Sequence, residues 1–320
     1  MHGVCSPSRS RVKPPEVRQA LSRPFDLRLT ALALAVVTLV ATTPVRPNPS
    51  GAKVVHGQAA LRQQGSTLTV TTSDGTIINW KHFAIGAGET TRFVQPSATS
   101  QVLNRVVGGD PSQILGTLES NGRVFLINPN GVAFGKGARV DVAGLVVSTL
   151  KLSDADFNAG RLNFGEPGAG ATAGAIRNEG RISTPRGGFV YLVAPQVENS
   201  GLIHTPEGEV ILAAGHRVSL VNPRTPEVAW EVTAPDSQAI NLGDVVARRI
   251  VMQGAGVRNA GTLSATTAVL GENGQVLLQA ARKVEQTATG RIVSQGLSET
   301  GVPRGGQVDI YGGEQALGQG

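Results

Sequence analysis

The sequence predicts an all-β protein built as a parallel β-helix, and three observations carry that reading. Short apolar runs recur along the chain, Asn-x-Gly turns return at a spacing of about 20 residues, and no amphipathic helical period of useful length interrupts them. Gly makes up 41 of 320 residues and aromatic residues only 4%, against 40% hydrophobic residues, so the apolar content is mostly Val, Leu, Ile and Ala. That mixture suits short strands joined by tight turns.

The strand-like runs include Leu68 to Val70, Arg123 to Ile127, Arg139 to Val142, Gly188 to Val193, Glu209 to Leu212 and Gln275 to Leu278. Asn178-Glu-Gly180 returns as Asn199-Ser-Gly201 after 21 residues, and the pattern recurs at Asn259-Ala-Gly261. Within each unit a second turn, Gly187-Gly188 or Glu207-Gly208, introduces a further strand. One such unit cannot bury its own alternate Val, Ile and Leu side chains. Stacking units at about 4.8 Å buries them and pairs each backbone with those above and below. Asn and Gly at the corners are expected to supply the positive φ of sharp bends. A leucine-rich horseshoe has a similar period, but neither its leucine frame nor an Asn ladder is legible here. An antiparallel sandwich is the remaining alternative.

The net charge of +6 is concentrated near the start, where Arg9, Arg11, Lys13, Arg18, Arg23 and Arg28 outnumber Glu16 and Asp26. The rest is thinly charged, so a nucleic-acid groove is not indicated. Leu29 to Ala41 is an uncharged apolar run, shorter than the roughly 20 residues of a membrane span and of the length of a signal-peptide core. The expected layout is a signal peptide over 1–41, a Pro-rich joint over 42–52 and a folded region over 53–320. Cys5, the single cysteine, lies in the leader, so the mature chain is expected to carry no disulfide or thiolate site.

Carboxylates are scattered at Asp74, Asp110, Asp141, Asp236, Asp244 and Asp309, without the clustering that acid–base catalysis needs. Asp154 and Asp156 are expected in a solvated loop beside Lys151, and Glu209 on an exposed strand position. Gly131 to Gly137 and Gly168 to Gly174 lack the spacing of phosphate-binding loops. His2, His56, His82, His204 and His216 form no metal-ligand pair. The sequence therefore predicts no enzyme, no cofactor and no metal. A carbohydrate-active β-helical enzyme is the rival from another class.

Residues 53–150 carry an ordered succession: Trp80-Lys-His-Phe-Ala-Ile-Gly86, Thr91 to Ser97, Val102 to Val107, Ser112 to Gly116, and Asn121 to Phe134. This succession resembles the two-partner secretion, or haemagglutination-activity, domain at the N-terminus of filamentous haemagglutinin and related exoproteins. Asn128-Pro129-Asn130-Gly131 is its most recognisable element, and Gln95, Pro96, Ser97, Asn104 and Arg105 also match the pattern. The second motif of some members, Asn-Pro-Asn-Leu, is absent. The resemblance implies a right-handed parallel β-helix with an N-terminal cap, further coils to residue 320, and passage through the periplasm of a Gram-negative bacterium. It also implies an outer-membrane β-barrel transporter as partner and delivery to the cell surface or medium. There an adhesin or haemagglutinin would meet a host or neighbouring-cell receptor, and the alternative is the leading segment of a contact-dependent toxin. The Asn128 to Gly131 turn is expected to shape the domain or to be recognised directly, and the other five residues to belong to the cap or touch the transporter.

Overall fold

The computed structural model describes residues 48–165, 172–221, 227–231 and 236–318. The expected signal peptide and Cys5 lie outside the described residues. The fold is the all-β, right-handed parallel β-helix with an N-terminal cap.

Each coil lays down strands on three faces. On the first face, Thr67, Thr90, Thr117, Arg139, Arg181, Leu202, Asp244, Thr262 and Arg291 stand above one another in a continuous parallel register. Alternate side chains point inward, so Leu68, Thr91, Leu118, Val140, Ile182, Ile203, Val245 and Leu263 are buried along one line. The inner filling changes along the axis. Trp80, Phe83, Phe93 and Phe134 occupy the early coils, whereas Ala239, Ala247, Ala265 and Ala280 occupy late ones.

The cap consists of two antiparallel additions to the first coil. Lys53–His56 pairs with Thr76–Trp80, and Ala59–Gln64 pairs with Thr67–Thr72. Part of the Pro-rich joint belongs to it. Buried Asn48 donates from its backbone N–H to Glu89 and from Nδ2 to the Ser66 carbonyl, and its Oδ1 accepts from the Thr91 hydroxyl at 3.0 Å. An antiparallel cap ends the stack without presenting a long parallel edge.

The third face corrects two expectations. Ile85, Ile114 and Phe134 begin a column that continues as Asn178, Asn199, Asn241, Asn259 and Gln286. An Asn ladder is therefore present: Nδ2 of each Asn donates to the side-chain carbonyl of the next, at 2.7, 2.8, 2.8 and 2.9 Å. Asn241-Leu-Gly243 is a rung that the spacing did not reveal, because residues 215–237 are inserted before it. The glycines after these asparagines are not at positive φ. A Cβ on Gly201, Gly243 or Gly261 would stand 2.2, 2.1 or 2.0 Å from the carbonyl oxygen of the glycine one coil below. Glycine is required there for close backbone approach, and the asparagines are required for pairing.

The second face is apolar on both sides. Its outward column runs Ile77, Leu103, Phe125, Val146, Tyr191, Ile211, Val251 and Leu277. All but Leu277 are buried, because two excursions fold back over the outside of the helix. Lys151–Leu152, Leu162–Gly165, Arg217–Val221 and Glu227–Glu231 form a four-stranded antiparallel flap. A short helix, Asp154–Asn158, capped by the Ser153 hydroxyl, adds Phe157 against Phe125 with ring centroids 5.1 Å apart. Asp154 and Asp156 thus lie on a helical turn, not in a free loop. Unbroken runs such as Val190-Tyr-Leu-Val193 carried the signal, since a strand buried on both faces shows no alternation.

Candidate functional site

The Asn128 to Gly131 turn joins the second-face part of the strand Thr117–Ile127 to the third-face strand Val132–Phe134. Asn128 is fully buried. Its Nδ2 donates to the Asp110 carbonyl at 3.0 Å and to the Ser112 hydroxyl at 2.9 Å, both one coil below. Its Oδ1 accepts from the backbone N–H of Asn130 at 3.0 Å and from Asn130 Nδ2 at 3.1 Å. Exposed Asn130 also reaches down, donating from Nδ2 to the Gly108 carbonyl at 2.8 Å.

The coil above closes on the turn from the other side. The Gly174 N–H donates to the Pro129 carbonyl at 2.7 Å, and the Val132 N–H to the Ala175 carbonyl at 3.1 Å. Gly131 has φ +114 and is the positive-φ residue of the turn; Asn130, expected to share that role, is not at positive φ. The motif is therefore a staple between coils. Its polar side chains bond to the coil below where the chain turns and the backbone ladder is interrupted.

Below the turn, His82 Nδ1 lies 2.8 Å from the Asp110 carboxylate, and a Cβ on Gly108 would stand 2.0 Å from the Lys81 carbonyl oxygen. The corners at residues 81–82, 108–112, 128–131 and 174–175 form one stack.

None of the five other motif residues lies on the cap strands. Asn104 and Arg105 lie on Gln101–Val106, directly below Leu126 and Ile127. Asn104 points inward and is fully buried, accepting from the Trp80 indole N–H at 2.9 Å and donating to the Phe125 carbonyl. Arg105 points outward to the flap, donating to the Leu152 carbonyl at 2.9 Å and to Asp154 Oδ1 at 2.6 Å. Gln95, Pro96 and Ser97 occupy the corner before that strand. Gln95 is buried and donates to the Ser120 hydroxyl and the Arg123 carbonyl, while the Ser97 hydroxyl pairs with Ser100. The structure thus places the two groups at opposite ends of one strand.

Glu209, expected on an exposed position, is only 12% exposed in its side chain. It accepts from the Tyr191 hydroxyl at 2.7 Å and pairs with Arg249. Burial, with the Glu209 charge beside it, pushes the Tyr191 hydroxyl far above its ordinary value. Hydrogen bonds from Ser153 and Arg161 hold the Asp156 carboxyl below its usual range. The two helix carboxylates are thus engaged in structural bonds. Among the described residues, no group of three His, Cys, Asp or Glu could hold a metal.

A capped parallel β-helix with an outer flap and a stapled Asn-Pro-Asn-Gly corner defines a β-helical secretion domain. A family model described as the TPS secretion domain matches residues 46–293, and the chain belongs to that family of two-partner secretion domains. Membership implies export by way of an outer-membrane transporter partner. The chain is 34% identical over 266 residues to a heme/hemopexin-binding protein of Haemophilus influenzae, covering 79% of this chain and 29% of that protein. A second Haemophilus influenzae protein of the same description is 35% identical over 144 residues, covering 43% of this chain and 15% of that one. The chain thus spans less than a third of the length of these relatives. The HMW1 secretion domain from Haemophilus influenzae superposes with a TM-score of 0.73 at 34% identity, covering 78% of this chain and 67% of that one.

Proposed function

We propose that residues 48–318 form the export module of a surface exoprotein, recognised by an outer-membrane β-barrel transporter, and that the Asn128 to Gly131 corner acts by building the module. The complete burial of Asn128 carries this reading. A side chain bonded to Asp110 and Ser112 inside the stack cannot be read from outside without unfolding the corner. The domain is read as non-catalytic, and the engagement of Asp154 and Asp156 in bonds to Arg105, Ser153 and Arg161 supports that.

The test is secretion of the full chain in a Gram-negative host with and without its transporter. Medium or surface delivery should require the transporter, and equal delivery without it would defeat the reading. Amino-terminal sequencing of the exported protein should place signal cleavage between Ala41 and Ala52.

For the exported protein we propose attachment to cells, supported by the resemblance to haemagglutinin-type exoproteins. The identity to heme/hemopexin-binding proteins favours a second reading, capture of haem or of hemopexin. Titration of the secreted protein with haem-loaded hemopexin, alongside a cell-attachment assay, separates the two.

A further inference from the structure

The outward residues of the third face follow a pattern that export leaves unused. Ala133, Arg177, Glu198, Ile240, Arg258, Glu285 and Ala316 stand above one another in parallel register, one per coil. None of them is buried, and the side chains of Arg177 and Arg258 are 64% and 49% exposed. Upward from Ala133 the column runs small, positive, negative, apolar, positive, negative, small. A half-turn about an axis along the Ile240 strand, perpendicular to the helix, reverses the order of the coils. It sets Ile240 against Ile240, Glu198 against Arg258, Arg177 against Glu285 and Ala133 against Ala316. Every charge then meets its opposite. In two copies packed parallel, Arg177 would face Arg177 and Glu198 would face Glu198. The column therefore accepts itself in one orientation and rejects the other.

We propose that the third face is a self-association surface, on which a second copy of this chain docks antiparallel about Ile240. Within one chain the charges are loosely held, with Arg177 3.9 Å from Glu198 and Arg258 3.6 Å from Glu285. The second copy closes these loose pairs into two squares of alternating sign, one on each side of the Ile240 contact. Such networks hold better than isolated surface pairs. Shape agrees with charge. Two hollows flank Ile240 along the axis, of about 180 Å³ and 470 Å³, and Gln238 and Ile240 line both. The larger opens at Gly256, which puts no side chain between Gln238 below and Lys283 above. The same half-turn sets exposed Gln196 over Gly256, a side chain over a gap. The column is about 29 Å long, at about 4.8 Å per coil. It covers several hundred Å² per copy, below the roughly 800 Å² per partner of stable complexes, so association is weak and salt-sensitive.

The experiment uses the purified secreted full chain. Its mass in sedimentation equilibrium should rise toward that of a dimer with concentration at low ionic strength, and fall back at about 1 M salt, where screening acts within about 3 Å. Glu198→Lys and Arg258→Glu should each abolish association alone, since each sets like charges face to face. Mixed in equal amounts, the two variants should associate again, because their substitutions then face each other with opposite signs. In oxidised glutathione, Ile240→Cys should give a disulfide-linked dimer severalfold in excess over Arg181→Cys, an exposed first-face control. Arg177→Cys should link to Glu285→Cys in a mixture and not to itself, which fixes the antiparallel order. A native chain that stays monomeric up to millimolar concentration overturns the proposal, as does a mixture of the charge variants no more associated than either alone. Self-linkage of Arg177→Cys as ready as its linkage to Glu285→Cys overturns the arrangement about Ile240. Should a charge variant lose its β-sheet circular dichroism, the native sedimentation and the cysteine variants decide. Every measurement is made without the transporter, so failure of the export reading leaves these outcomes unchanged.

Discussion

Gly201 lies so close above Gly180 that a Cβ on Gly201 would stand 2.2 Å from the Gly180 carbonyl oxygen. The contact repeats up the third-face corner through Gly243 and Gly261, so these glycines set the spacing at which coils stack. Gly201→Ala should therefore destabilise the domain by about 3 kcal/mol or more, since backbone must move to admit the methyl group. Gly65, at φ +56 with open space around it, is the contrasting case. Gly65→Ala should cost only about 1–2 kcal/mol of backbone strain. Urea unfolding of the two variants checks the order, and equal costs would refute the close-approach account.

Asn128→Ala should be the most damaging single change in the staple. It removes bonds to the Asp110 carbonyl and Ser112 hydroxyl and leaves the Asn130 N–H without its acceptor. Leaving buried partners open costs about 1–3 kcal/mol. Gly131→Val should lose a similar amount, because φ +114 is closed to a β-branched residue and the new Cβ would sit 3.2 Å from the Ala175 carbonyl oxygen. Asn130→Ala should cost less, its side chain being exposed. Stability and transporter-dependent secretion should fall together, and lost secretion at unchanged stability would show direct recognition.

Asn199 donates to Asn241 and accepts from Asn178, so it is bonded on both sides within the ladder. Asn199→Ala should destabilise by about 2 kcal/mol, since two buried amide groups lose a partner. Amide hydrogen exchange should rise in Gln196–Asn199 and the strands stacked on it. Unchanged protection there would show that the backbone ladder suffices.

Glu207 predicts a local acid response. Its burial opposes ionisation, but bonds from the Ala268 N–H and the Thr267 hydroxyl, with Arg186 and Arg248 nearby, hold its carboxyl below the ordinary value of 4.5. A depressed folded value means that its contribution is complete above about pH 4.5 and is lost as pH falls through the folded value. The segment 267–272 should therefore loosen in that acid window, and Glu207→Gln should remove the pH dependence. Protease susceptibility of the segment against pH measures it.

The sequence by itself determined the strand content, the coil repeat and the family. Alternation of Val, Ile and Leu, with Asn-x-Gly at Asn178, Asn199 and Asn259, is a local pattern, and a solenoid built from neighbour contacts inherits it directly. The Asn128 to Gly131 motif was also legible, as was its turn. Tertiary structure alone decided what those residues do. Which atoms Asn128 bonds depends on the coil below, and why Gly201 must lack a Cβ depends on a carbonyl 21 residues back. The flap escaped because its strands pair across the insertions 149–175 and 215–237, and its apolar column emerges only when Ile77, Leu103, Phe125 and Tyr191 are stacked. Contacts between coils are fixed by register, and a residue's neighbours along the chain do not reveal which residue a later coil will set above it.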